Sequence, residues 1–232
     1  MEVKHKVFIV GIGSGTEDYL LPIARRTIEA SECLIGGKRA LRLFQDLQKE
    51  EILLEGNFDR VVSYLLSEKG KKKIAILVSG DPGLYSFLGK VSRILKKDEY
   101  VVIPGISTVQ IAFARIGEAW EDATILSLHG RRTDDLAARV KESSKIFLFT
   151  DPNFPPGKIA SHLLGSGVEN RRAVVMENLT YPDEKVLDTD LDHLSKMEGF
   201  GLCVIIIKKE MNTSAAEGDS KSLFSQSPEK SP

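Results

Sequence analysis

Apolar residues in the first half of the chain fall into short runs, separated by stretches in which they recur every three or four positions. Residues 7–10 form a β-branched and aromatic run, and residues 20–31 carry apolar side chains at helical spacing, which predicts strand, glycine loop and helix in that order. The cycle repeats. A strand over 33–35, closed by Gly36 and Gly37, leads into an amphipathic helix over 38–48, and a strand over 52–54 leads into a helix over 58–68. IAILV at 74–78 has the continuous apolar character of a strand buried on both faces; it ends in SGDPG and is followed by a helix over 85–95. A strand over 100–103 then passes through PGIST into a helix that reaches residue 116.

The second half is richer in strands, at 124–128, 145–149, 172–177 and 203–207, with helices expected over 133–142 and 158–164. Alternating strands and helices predict an α/β fold of two lobes with a ligand cleft between them, the first lobe spanning 1–118 and the second 119–211. Residues 212–232 are rich in Ser, Pro, Glu and Lys and bury too little apolar area to offset ordering entropy, so a disordered tail is expected there.

Composition narrows the function classes. A chain of 232 residues with a formal net charge of −1 has no bulk attraction for nucleic acid or anionic lipid, so any polyanion site must be local. The basic run KGKKK at 69–73 lacks interleaved aromatics and reads as a solvated turn. Cys33 and Cys203 sit in separate apolar stretches without zinc or disulfide spacing, and are expected to be buried thiols in a reducing compartment. The chain opens directly into a strand pattern with no signal peptide, and no apolar run reaches the length of a membrane helix; a cytoplasmic location is expected. His5, His162 and His193 have no partners at metal-ligand spacing, and no metal is expected. Trp120 reads as a core residue at the lobe junction in preference to a stacking wall for a ligand.

Three loops carry the candidate chemistry. VGIGSG places Gly11, Gly13 and Gly15 directly after a strand, where the backbone can turn tightly and approach a ligand. The dinucleotide fingerprint spaces its third glycine differently, although Glu32 stands where its acid would, so the loop alone leaves both a nucleotide site and an empty turn open. In SGDPGLYS, Asp81 could receive hydrogen bonds from a ribose or amino group, or cap the next helix. Ser107 and Thr108 of PGIST offer hydroxyls to a ligand or to a helix N-terminus.

Taken together, VGIGSG, SGDPGLYS and VIPGISTVQIAFARIG, in this order and at these distances, resemble the tetrapyrrole (corrin/porphyrin) methylase family. IGGKRAL at 35–41, LHGR at 128–131 and MENLTYPDE at 176–184 are similar to its cobalt-precorrin-7 or precorrin-6Y carbon-5 branch, and the resemblance covers about residues 6–208. It implies a two-lobed fold, a homodimer, an S-adenosyl-L-methionine site between the lobes and a corrin-ring substrate of cobalamin biosynthesis. It also implies a separate carbon-15 methyltransferase/decarboxylase as partner, because some members carry that activity on the same polypeptide. Residue by residue, Ser14 matches the first-loop cofactor contact, Gly80, Asp81 and Leu84 the second, and Ser107 and Thr108 the third. From the second lobe, Phe149, Thr150, Glu177, Asn178 and Leu179 fall where the family closes over adenine and methionine. One departure stands out: Ser14 occupies a position where many relatives carry proline, although contact there is mostly through backbone.

Methyl transfer from a sulfonium is an in-line displacement, which needs alignment and exclusion of water. His129 is the candidate to assist loss of a ring proton, the alternative being a hydrogen-bonded histidine at a strand end. Arg131 and Arg132 could pair with corrin carboxylates, as could Lys38 and Arg39, which otherwise form a solvated first helical turn. The rival readings are methylation of another tetrapyrrole carbon, the diphthine synthase branch, a scaffold for the carbon-15 enzyme, and a non-catalytic nucleotide-binding α/β module.

Overall fold

The computed structural model describes residues 6–54, 56, 58–129 and 134–209. The expected tail at 212–232 and the candidates Arg131 and Arg132 lie outside the described residues. Two five-stranded sheets account for the α/β architecture expected from the strand and helix pattern.

The first sheet contains β1 (Val7–Gly11), β2 (Cys33–Gly36), β3 (Glu50–Leu53), β4 (Ile74–Val78) and β5 (Tyr100–Ile103), interleaved with α1 (Pro22–Glu29), α2 (Lys38–Arg42), α3 (Phe58–Glu68) and α4 (Leu88–Val91). Its strand order is β3-β2-β4-β1-β5 and every pairing is parallel. A parallel sheet needs cover on both faces. Ala24, Ile28, Ala40 and Leu41 of α1 and α2 pack with Val10, Leu34 and Leu77, while Val61, Leu65 and Val91 of α3 and α4 pack with Ile9, Ile35 and Ile76. Because side chains alternate along a strand, these two sets occupy opposite faces.

The second sheet takes over from α5 (Thr108–Ile116) onward, with β6 (Thr124–Ser127), α6 (Leu136–Glu142), β7 (Lys145–Phe149), α7 (Pro156–Gly165), β8 (Arg172–Glu177), β9 (Lys185–Asp190), α8 (Leu191–Leu194) and β10 (Cys203–Lys208). The order is β6-β7-β10-β8-β9, parallel only between β6 and β7. Ile146, Leu148 and Val175 face Val140, Ile159 and Leu163 of α6 and α7. The other face, with Phe147, Val174 and Ile206, is covered by Val109, Ala112 and Phe113 of α5. A helix that leaves the first sheet thus seals the second one.

Three expectations need correction. The helix over 85–95 contracts to α4, Leu88–Val91; Tyr85, at its expected start, adopts a left-handed φ of 49° and stays outside it. The helix over 38–48 ends at Arg42 and resumes as a single 3₁₀ turn at Gln45–Leu47, closed by Gln48 at φ 50°. Trp120 is 43% exposed, so it is not a core residue. The sequence pattern also passed over β9, an edge strand whose KVLDTD has only two apolar residues. Both cysteines are buried as expected. Among the described residues no helix is long and apolar enough to cross a membrane.

Candidate active site

The three loops singled out above leave the carboxyl ends of β1, β4 and β5, which are adjacent in the sheet in the order β4-β1-β5. The backbone ladder continues into them: Ile12 N–H donates to Val78 O at 2.9 Å and Gly80 N–H to Gly13 O at 2.6 Å. A Cβ on Gly105 would lie 2.2 Å from Gly80 O and 2.8 Å from Gly11 Cα, so three backbones meet where no side chain fits. Asp81 fastens this junction. Its carboxylate accepts from Gly83 N–H at 2.7 Å through one oxygen and from Gly105 N–H at 3.2 Å through the other. Ser107 caps α5 in a reciprocal box with Gln110, accepting from Gln110 N–H at 3.3 Å while Gln110 Oε1 accepts from Ser107 N–H at 2.8 Å.

A cavity of about 620 Å³ opens above these loops, in the size range of small-molecule sites. The structure brings most of the candidate residues to its wall. Ser14, Gly80, Asp81, Leu84, Ser107 and Thr108 line it from the first three loops. Phe149, Thr150 and Leu179 line it from the second sheet, and Lys38, Arg39 and His129 also border it. Glu177 and Asn178 do not. Glu177 instead accepts from Gly201 N–H at 2.7 Å, and Asn178 Nδ2 donates to Asp183 at 2.7 Å, so both side chains shape loops behind the wall.

The segment after β8 reaches across to the first loop. Thr180 donates to Ser14 Oγ at 2.6 Å, and the Tyr181 hydroxyl lies 3.4 Å from the carbonyl oxygens of Ser14 and Gly15. Arg39 stacks on the Tyr181 ring, 5.0 Å from its centroid. Glu184 secures the strap: it pairs with Arg115 at 2.6 and 3.2 Å and accepts from Thr180 N–H at 2.5 Å. Burial pushes the Glu184 carboxyl up, but Arg115 and the Thr180 amide together outweigh that and hold it below the ordinary value.

Thr150 donates to Cys203 O at 2.6 Å, joining the ends of β7 and β10 in the wall. Cys203 itself faces the cavity; burial pushes its thiol above the ordinary value, against the smaller opposing pull of the Thr150 hydroxyl. His129 Nδ1 lies 3.2 Å from Asp151 Oδ2, which leaves Nε2 as the nitrogen for a ligand. The residue pattern did not single out Tyr85, Tyr181 or Cys203 as wall residues.

A strand-end cavity of this shape occurs in many α/β proteins; the family is decided by similarity along the chain. The model of the Tetrapyrrole (Corrin/Porphyrin) Methylases matches residues 6–195. The chain belongs to that family. Among its methylase relatives, a probable cobalt-precorrin-7 C(5)-methyltransferase from Methanocaldococcus jannaschii is 36% identical over 188 residues, covering 78% of this chain and 87% of that one. The precorrin-6Y methylase of cobalamin biosynthesis from Archaeoglobus fulgidus shares the fold with a TM-score of 0.68 at 24% identity, over 89% of this chain and all of that one. The uroporphyrin-III C-methyl transferase from Thermus thermophilus, solved in complex with S-adenosyl homocysteine, superposes with a TM-score of 0.73 at 17% identity, over 88% of this methylase and 97% of its own length.

Proposed function

We infer that this methylase transfers the methyl group of S-adenosyl-L-methionine to carbon 5 of a corrin precursor of the cobalt-precorrin-7 type, in cobalamin biosynthesis. The observation that carries the reading is the cavity that unites the three loop motifs with the wall of the second sheet, in a chain related over most of its length to a carbon-5 methyltransferase.

The lining fits the methyl donor. Phe149, Met176 and Leu179 supply an apolar wall for adenine, and Ser107, Thr108 and Thr150 bring hydroxyls for its polar edges. The glycine backbones let a ligand approach without an intervening side chain. When bound, the cofactor supplies an electrophilic methyl carbon. The protein's part is to align the acceptor carbon with it and to exclude water, and the role proposed for His129, whose Nδ1 lies beside Asp151, is to take a ring proton through Nε2. Lys38 and Arg39 at the mouth, together with Arg131 and Arg132, are proposed to pair with substrate carboxylates. Glu177 and Asn178 contribute through the loops they hold. The proposal includes a homodimer in the cytoplasm, a lobe boundary near residue 118, and a separate enzyme for the carbon-15 step.

Calorimetric titration with S-adenosyl homocysteine, followed by transfer of a ¹³C-labelled methyl group to the corrin precursor, tests the reading. Saturable binding and a new methyl signal at carbon 5 are expected. No heat at millimolar ligand would return the chain to a non-catalytic α/β module.

A further inference from the structure

Beside the cofactor cavity lies a second, more open groove of about 790 Å³. It is walled by the loop from Pro82 to Lys90, with Ile125 and His129 across from it. The two spaces share the loop's middle residues and His129, and Tyr85 belongs to both.

Tyr85 is an unusual residue for its backbone. Its φ of 49° lies in the left-handed region, which glycine adopts freely and an aromatic residue resists. Surrounding structure holds it there. Its hydroxyl donates to Ile125 O at 2.7 Å, tying the loop of the first sheet to β6 of the second. Its ring meets Phe149 edge to face, with centroids 6.0 Å apart, yet the residue stays 40% exposed. A large aromatic ring is thus fixed at both ends, against its backbone preference, and left partly uncovered between two cavities. Further along the groove, Lys90 Nζ sits 5.1 Å from the Phe58 ring centroid and 5.9 Å from that of Phe87. Among the described residues it makes no ion pair, so its charge is available to an anion.

We propose that this groove receives one face of a flat polycarboxylate macrocycle, that Tyr85 is the partition against which the ring stacks and which sets its distance from the methyl donor, and that Lys90 draws one of its carboxylates. The inference rests on the methyltransferase reading and names the surface that selects its substrate. An aromatic face matches a conjugated ring, and an ammonium over two aromatic rings is oriented without being neutralised.

The test uses the full chain and two probes: S-adenosyl homocysteine by calorimetry, and uroporphyrin III, a stable polycarboxylate tetrapyrrole, by its own fluorescence. Tyr85→Gly suits the left-handed backbone but removes both the ring and the bond to Ile125, whereas Tyr85→Phe keeps the ring and removes only that bond, and melting curves of both variants report any loss of fold. Tyr85→Gly is expected to weaken macrocycle binding about tenfold while moving the S-adenosyl homocysteine constant less than about threefold. Tyr85→Phe should recover most of that loss, and Lys90→Gln should weaken the macrocycle about threefold and flatten its salt dependence. Tyr85→Gly binding the macrocycle like wild type, or losing both probes in parallel, would overturn the assignment. A wild-type chain that binds S-adenosyl homocysteine but no macrocycle would also overturn it, leaving the cofactor reading standing; binding of neither would bring down both.

Discussion

The cavity has two walls made of different material. On the first sheet it is built from backbone: glycines at three adjacent strand ends, one carboxylate fastening the amides of Gly83 and Gly105, and a capped helix. On the second sheet it is built from side chains, with Phe149, Leu179 and Cys203 lining it and a strap whose Thr180 and Tyr181 reach back to the first loop. A backbone wall has few tolerated sequences, because a single Cβ collides with a neighbouring chain. A side-chain wall needs only volume and polarity, which many residues supply. The first wall should therefore be brittle and the second forgiving.

Gly105→Ala is the sharpest way to break that contrast. Its methyl would enter three touching backbones, and a loss of about 3 kcal/mol is expected, lowering the melting temperature by about 6–12 °C in calorimetry. An unchanged melting curve would show that the three loops do not touch. Asp81→Asn comes next: it sets an amide N–H₂ against one of two backbone donors, and S-adenosyl homocysteine affinity should fall about tenfold. Retained affinity would mean that the loop junction holds without its carboxylate.

On the second wall the effects shrink. Glu184→Gln should cost about 0.5–1 kcal/mol at neutral pH, since the pair with Arg115 is partly solvated. The Glu184 carboxyl is held below its ordinary value of 4.5, so its contribution is complete above that pH and is lost as pH falls through the lower folded value. The melting curves of wild type and variant should therefore draw together as pH falls below 4.5; a constant gap would exclude the ion pair as the source. The smallest effect concerns Cys203. Buried and with its thiol pushed up, it should label by less than about one tenth in an hour with a maleimide at neutral pH. Rapid labelling that S-adenosyl homocysteine prevents would show that the side-chain wall opens.

The same contrast explains what could be read along the chain. GIGSG, SGDPG and PGIST stand out because backbone constraints force glycine, proline and capping residues into fixed places, and all three arrive at one cavity. Tyr181 sits inside MENLTYPDE, whose first residues drew the attention; its partners Ser14 and Gly15 are 167 and 166 positions away, and no local pattern reports such a contact. Cys203 begins an apolar strand and looks like any core residue until Thr150 and the cavity are set beside it. The failed helix at Tyr85 belongs here too. Apolar spacing supported a helix from Tyr85 onward, but Tyr85 is kept out of it by a left-handed backbone angle while its hydroxyl is tied to β6.

The order in which the strands of the two sheets are completed differs. The parallel sheet is finished once β5 has been made, whereas β10, the middle strand of the other, is the last to leave the ribosome among those described. Until it arrives, β7 and β8 each present an edge with no neighbour, and the apolar side of α5 waits for the sheet it will cover. A growing chain thus carries a finished first sheet beside an unfinished, adhesive partner, and this is the interval in which a chaperone would find most to hold.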